Sequence, residues 1–313
     1  MGGSGGGGPF VSRSPEQLAK QVRQAEDDTA VKAFEVDLNS LLGDLLASAN
    51  SRDVGLVQER LDDLKVEISD SLETSTDLLF GGSVAKHTYV DGISDIDSLL
   101  ILNDPDLAAK KPSVALAKVA DVVRNAAPVS ASVGAGRLAV TIQYNDGMQI
   151  QLLPAFRLKN GLKVPSFLRD GWSHISPDAF QKALSSRNQE CGGKLIPTIK
   201  LAKAVVGTLP EKQRLSGYHV ESLAIAAFKN YSGPKTAAGM LPAFFEKARD
   251  LVLRPIRDSS GQSVHVDGYL GDAESSQRIA MSHVLGRIAK RMRNASAHMS
   301  KDQWNAIFGL NDE

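Results

Sequence analysis

The chain has one cysteine, two tryptophans and five tyrosines in 313 residues, and no surplus of either charge, since 36 acidic residues balance 36 basic ones. Each shortage closes off a class of protein. A lone Cys191 cannot build a disulfide framework or a cysteine-based zinc site, and its use suits a reducing cytoplasm, which is the expected location. A formal net charge of zero provides no broad basic face for duplex nucleic acid, so a duplex DNA partner is not expected. No stretch reaches the roughly 18 to 20 uninterrupted apolar residues that cross a bilayer, and no membrane partner is expected either. No repeat of solenoid length is visible. The opening residues, Met1 to Gly8, lack the basic and apolar regions of a signal peptide and read as flexible linker.

What is present concentrates between Phe80 and Asn103. Asp77-Leu-Leu-Phe80 is short and apolar enough for a buried strand, and Gly81-Gly82 lets the backbone turn with no side chain in the way. With a helix beginning at Ser83, the turn's N–H groups can cradle phosphate; were Ser83 merely the N-cap of that helix, the same geometry would result. Asp95 and Asp97 then stand one residue apart at the head of Ser98-Leu-Leu-Ile-Leu102, so on a strand both carboxylates point to one face. Like charges that close need a cation or protons, and Mg²⁺ prefers a few carboxylates together with phosphate oxygens.

Gly82-Ser83 followed by Asp95-Ile-Asp97 resembles the signature of the nucleotidyltransferase superfamily related to DNA polymerase beta. Leu152-Leu-Pro-Ala-Phe156, Ile199-Lys-Leu-Ala-Lys203 and Ser216-Gly-Tyr-His-Val-Glu221 extend the likeness to one branch. That branch holds cyclic GMP-AMP synthase, the oligoadenylate synthases and the bacterial cyclic-oligonucleotide synthases of anti-phage defence (CD-NTases). The resemblance spans about residues 75 to 225, with a weaker echo from Asp258 to Asp267. It implies an α+β fold: a polymerase-beta-like nucleotidyltransferase lobe with a mixed sheet, then a helical C-terminal lobe.

The sequence is laid out accordingly, with a glycine-rich linker over 1–13, brace helices and the nucleotidyltransferase lobe over 14–170, and the helical lobe over 171–313. Ser14-Pro15-Glu16-Gln17 predicts a helix start with a capping box, and further helices fit Glu35 to Ala49 and Asp53 to Leu72. Pro112 precedes a helix from Ser113 to Ala127; Leu138 to Tyr144, Asn145-Asp146-Gly147 and Met148 to Leu153 predict a hairpin. From about Gly171 the pattern is helical, with helices opening at Ser176-Pro177 and covering Lys194–Thr208, Tyr218–Tyr231 and Ser275–Ala295. The acidic end, Gly309 to Glu313, reads as an accessible tail for a regulatory protein partner, after a partly helical Lys301 to Phe308.

The resemblance gives these residues roles. Asp95 and Asp97 are the expected ligands of two Mg²⁺ ions, with Mn²⁺ as a substitute. Gly82 and Ser83 are expected at the donor β- and γ-phosphates. Lys200 and Lys203, three apart on a helix, could address one phosphate tail, and Lys203 takes the place of the lysine that binds the donor triphosphate. Tyr218 matches the aromatic residue that stacks on the donor base. In the animal synthase the serine directly before that tyrosine reaches phosphate; here Gly217 holds the position and the serine is Ser216. His219 reads as a core or surface histidine.

The main departure is the third acid. Relatives place an aspartate on the strand before the Leu-Pro-Ala run, where it binds metal and helps deprotonate the attacking hydroxyl. This chain reads Gly147-Met-Gln149-Ile-Gln151-Leu-Leu-Pro154, with Gln151 in the aspartate's register and Gln149 on the same face. Neither amide accepts a proton near neutral pH. Glutamine is the isostere of glutamate, so an exchange that traps substrate points to Glu at 149. The expected function is joining ATP and other ribonucleoside triphosphates into a cyclic di- or trinucleotide second messenger. The alternatives are a nucleotidyltransferase acting on RNA, protein or a small molecule, and a catalytically dead nucleotide-binding module.

Overall fold

The computed structural model describes residues 14–48, 54–72, 76–80, 96–126, 131–166, 170–256 and 267–310. Helix α1 (Pro15–Ser48) starts at the predicted capping box: the Ser14 N–H donates to Gln17 Oε1 (3.1 Å) and the Gln17 N–H to Ser14 Oγ (3.2 Å). It then runs unbroken for 34 residues, so the stretch from Glu35 continues this helix. With no glycine or proline between Pro15 and Gly43, nothing interrupts the backbone ladder. Residues 16–33 are exposed except for half-buried Leu18, whereas Leu38 and Leu42 are buried in the helical core. Helix α2 (Val54–Leu72) is amphipathic, and its stripe of Val57, Leu61, Leu64 and Ile68 is buried as the spacing predicts.

The sheet is mixed. Strands β1 (Thr76–Phe80) and β2 (Ile96–Leu102) are antiparallel; after α3 (Pro105–Ala109) and α4 (Pro112–Ala126) come β3 (Ala131–Ala135), β4 (Val140–Tyr144) and β5 (Gln149–Leu158). The order is β1-β2-β5-β4-β3, with β5 parallel to β2 and antiparallel to β4. A parallel neighbour cannot follow by a tight turn, and the α4 passage supplies part of the crossover. Between β4 and β5 the turn forms at Asn145-Asp146-Gly147, where Gly147 takes φ +87°. The second half of β5 pairs with β6 (Gly161–Pro165), which pairs with β7 (Trp172–Ile175), so the chain after Gly171 forms a strand before it turns helical.

One face of this sheet is covered by α2 and α4. Leu100, Leu102, Val140, Ile142, Ile150 and Leu152 meet Leu61, Ile68, Leu116 and Val119 there in one buried cluster. Asp170 fastens the start of α4 by accepting from both Ser113 N–H (3.1 Å) and Ser113 Oγ (2.9 Å). The remaining elements form a helical lobe: α5 (Pro177–Glu190), α6 (Leu195–Gly207), α7 (Gly217–Ala227), α8 (Ala237–Leu251), α9 (Ser276–Ala297) and α10 (Lys301–Ile307). Its core includes Phe228, Phe244, Phe245 and Trp304, all essentially inaccessible to water, together with Leu38 and Leu42 of α1. The fold is α+β. Trp304 and Ile307 dock α10 into this core, while Leu310 is exposed and 311–313 lie outside the described residues. Among the described residues no helix is long and apolar enough to cross a membrane.

Candidate active site

The alternation of β4 and β5 that buries Ile142, Ile150 and Leu152 turns Thr141, Gln143, Gln149 and Gln151 to the opposite face, where each is half-buried. The register aligns them into rows. Gln151 is the partner of Thr141 on β4 and of Asp97 on β2, and Gln149 is the partner of Gln143. Leu99 and Ile101 of β2 pack on the same face with Ala155, Leu162 and Val164. Gln143 is fixed by its own hairpin, its amide donating to the Met148 carbonyl (3.3 Å) and the Tyr144 carbonyl (3.4 Å). Adjacent strands lie about 4.8 Å apart, so Asp97 and Gln151 share one short row. Gly82, Ser83 and Asp95 lie outside the described residues.

A second group comes from the helical lobe. Lys200 and Lys203 belong to α6, and the Lys203 ammonium is 2.8 Å from Glu221 Oε1 of α7, with side-chain exposures of 4% and 1%. This is a buried pair. Burial, reinforced by the charge of Lys203, lowers the pKa of Lys200. Ser216 is the N-cap of α7, its hydroxyl accepting the His219 N–H at 3.2 Å. Tyr218 follows in the first turn, with its ring against that of Phe180 from α5, centroids 4.6 Å apart. A Cβ at Gly217 would stand 3.3 Å from Lys203 Nζ, so the tip of Lys203 occupies the space above the glycine.

His219 lies wholly inside the protein. The Ser216 N–H donates to the Tyr269 hydroxyl (3.1 Å), which leaves that hydroxyl's own proton for His219 Nδ1 at 2.8 Å. The imidazole proton is then on Nε2, facing Asp267 Oδ2 at 3.7 Å. Asp267 is itself held by Arg278, Nη1 to Oδ2 at 2.6 Å, with both side chains fully buried. Burial lowers the His219 pKa to about 4; Asp267 opposes the shift and Arg278 adds to it.

This shift has a definite sign. The unfolded imidazole takes up its proton near pH 6.5, whereas the folded one waits until about pH 4. Stability is therefore complete above pH 6.5, falls by about 1.4 kcal/mol per pH unit down to pH 4, and then levels, a loss of roughly 3 kcal/mol. Urea melts from pH 7.5 to 4 are expected to show this slope, and His219→Gln is expected to remove it. The carboxyls of Asp104, Asp146 and Asp170 are held below the usual range, chiefly by hydrogen bonds from Leu107, Arg60 and Ser113 respectively. Their contribution is lost only at lower pH. A slope unchanged by His219→Gln would assign the transition to other groups.

The sequence reading missed Glu221, Phe180, Asp267 and Arg278 as partners of these groups. For Glu221 a signal existed: it is the one acid in α7, an otherwise largely apolar helix, and Lys203 is flanked by Leu201, Ala202, Ala204 and Val205. Two opposite charges stranded in two apolar helices point to each other.

By sequence, the chain matches no protein-family model and no curated protein. By structure it resembles CdnC of E. coli, solved with ATP, at TM-score 0.64 and 17% identity; the match covers 90% of this chain and 97% of that one. CdnG of Bradyrhizobium diazoefficiens, a CD-NTase solved in complex with GTP, matches at TM-score 0.62 and 16% identity, covering 80% of this chain and 88% of that one. DncV of Vibrio cholerae, a cyclic AMP-GMP synthase solved with a linear intermediate, matches at TM-score 0.59 and 12% identity, covering 95% of this chain and 90% of that one. The chain has the nucleotidyltransferase fold of the bacterial CD-NTases.

Proposed function

We propose that this chain is a nucleotidyltransferase that joins nucleoside triphosphates into a cyclic di- or trinucleotide second messenger for anti-phage signalling, and that Gln151 makes it slow. The observation that supports the reading is the backbone register of β2 on β5, in which Asp97 is the partner of Gln151, a residue of the sheet face turned away from α2 and α4. ATP with CdnC and GTP with CdnG favour nucleoside triphosphates as substrates. Lys203 and Lys200 take the donor triphosphate, Gly82 and Ser83 its terminal phosphates, and Tyr218 the base. Gln151 can orient the attacking hydroxyl by hydrogen bonding but cannot remove its proton.

The donors on this face, Thr141, Gln149 and Gln151 beside position 97, are all hard oxygens, which fits Mg²⁺ or Mn²⁺ and not a softer ion. Asp95 and Asp97 would hold the metal, which when bound offsets charge on the attacking and leaving oxygens. The paired amides also favour a second reading, a nucleotide-binding module without turnover. Incubation with the four ribonucleotides and no acceptor separates the two: a phosphatase-resistant product supports synthesis, while ATP binding in calorimetry with no product supports the module. Asp95→Asn with Asp97→Asn is expected to abolish the product and to leave melting unchanged or raised, because two like charges are removed together. Product formation by that variant in Mg²⁺ would move the active site elsewhere.

A further inference from the structure

The buried pair of Lys203 and Glu221 has no evident purpose in stability. Taking an ammonium and a carboxylate out of water costs several kcal/mol for each ion, and well-packed apolar residues of similar volume usually serve a core equally well. The pair spans α6 and α7, the two helices that carry the triphosphate lysines and the Ser216–Tyr218 turn. Its position is specific. The ammonium rests over Gly217, the first residue of α7, with Nζ 3.3 Å from where a Cβ would stand. The His219 N–H of that turn is already taken by Ser216 Oγ, so the chain's own capping side chain fixes the turn beside the ammonium.

We propose that Glu221 is a positioning residue for nucleotide binding: its carboxylate keeps Lys203 charged and holds the ammonium at the first turn of α7, where the triphosphate docks. This rests on the reading above that Lys203 binds the donor triphosphate. A lysine on a long stem loses much rotamer freedom when it grips an anion. Here the ion pair fixes the side chain in the nucleotide-free protein, so the ordering cost is met on folding and not on binding. The same placement suits a glycine at 217, since a Cβ there would press against the Lys203 tip. The volume over residue 217 is filled by Lys203, which presents a charged donor at the start of α7.

The test is a cycle of ATP affinities by calorimetry on the full chain, with melting followed in parallel, for Lys203→Met, Glu221→Gln, the double variant and Glu221→Asp. Removing one charge-assisted hydrogen bond from the triphosphate site corresponds to roughly ten- to hundredfold weaker binding, which is expected for Lys203→Met. Glu221→Gln is expected to give a loss of the same order, with no further loss when added to Lys203→Met, because it acts through that lysine. Glu221→Asp keeps the charge but draws it back by one methylene, so it is expected to fall between the parent and Glu221→Gln. Should Glu221→Gln fail to fold, the aspartate variant decides the matter. Full ATP affinity in a folded Glu221→Gln or Glu221→Asp, or losses that simply add in the double variant, would overturn the role of Glu221 alone. Full affinity in a folded Lys203→Met would instead sink the assignment of Lys203 on which it rests.

Discussion

Gln151→Asp is expected to raise the rate of nucleotide consumption at least tenfold, with little change in ATP affinity. A missing general base typically costs about 10²- to 10⁴-fold in rate, so recovery of even part of that factor is easily measured. The isostere argument favours Gln149→Glu, but the pairing register favours position 151. Gln151 is level with Asp97 on the neighbouring parallel strand, while Gln149 stands two residues back beside Gln143, whose amide is committed to the β4–β5 hairpin carbonyls. A carboxylate at 151 adds to the row that contains Asp97. One at 149 is displaced along the strand by roughly 7 Å. Parent, Gln149→Glu and Gln151→Asp should be compared at saturating ATP and Mg²⁺. Fast turnover by the parent would end the idea that an acid is missing, and two inactive variants that still bind ATP would favour the module without turnover.

The parts of the fold that were legible in advance are those where one local interaction decides the outcome. Ser14 and Gln17 exchange the two bonds of a capping box, and Gly147 takes the positive φ that the Asn145-Asp146-Gly147 turn requires. The α2 stripe and the starts of α4, α5 and α9 follow from apolar spacing and from the Pro or Ser before them. Elements held together mainly by tertiary contacts were not legible. Strand β3 is Ala-Ser-Val-Gly-Ala, with a single β-branched residue, and β6 begins with Gly161 and ends with Pro165. Both form because a neighbour supplies the ladder. Helix α8 has Pro242 inside it, which reads as a break, yet Met240, Leu241, Phe244 and Phe245 bury so much apolar surface that the helix persists.

The candidate site divides in the same way. Gln151 and Gln149 could be placed on one face from strand period, and pairing added that Gln151 is the register partner of Asp97 and Gln149 that of Gln143. Lys203 could be named as a triphosphate ligand, but its depth could not be read. A lysine on a helix reads as solvated until the opposing acid, 18 residues away, is brought against it. Long-range polar pairs leave no periodic trace in a sequence, and the one trace here is compositional, a single acid in the apolar α7 and a lysine among apolar neighbours in α6. Asp267 and Arg278 are a second case: each looks like an ordinary surface charge, and both are fully buried.

Arg278→Met is expected to destabilise the fold by about 3–5 kcal/mol, the cost of leaving one member of a buried ion pair without the other. The guanidinium makes more than the bond to Asp267. Nε donates to the Gly271 and Asp272 carbonyls (both 3.0 Å), Nη1 to Val252 O (3.0 Å), and Nη2 to Gly271 O (2.9 Å) and Asp267 O (3.3 Å). It thereby ties the end of α8, the 267–272 turn and α9 into one unit. Methionine refills the volume but offers no donor to these carbonyls, and Asp267 Oδ2 is left with the Ile256 N–H (3.2 Å) and no cation against it. Adding Asp267→Asn is expected to recover part of the loss, since the stranded charge is then removed. The His219 slope supplies a second readout. Removing Arg278 takes away a charge that lowers the histidine's pKa and leaves Asp267, which raises it, so the fall in stability below pH 6.5 should level off at a higher pH and be smaller in total. A loss under about 1 kcal/mol with the fall still ending near pH 4 would show that the Arg278–Asp267 pair is replaceable and that His219 does not sense it.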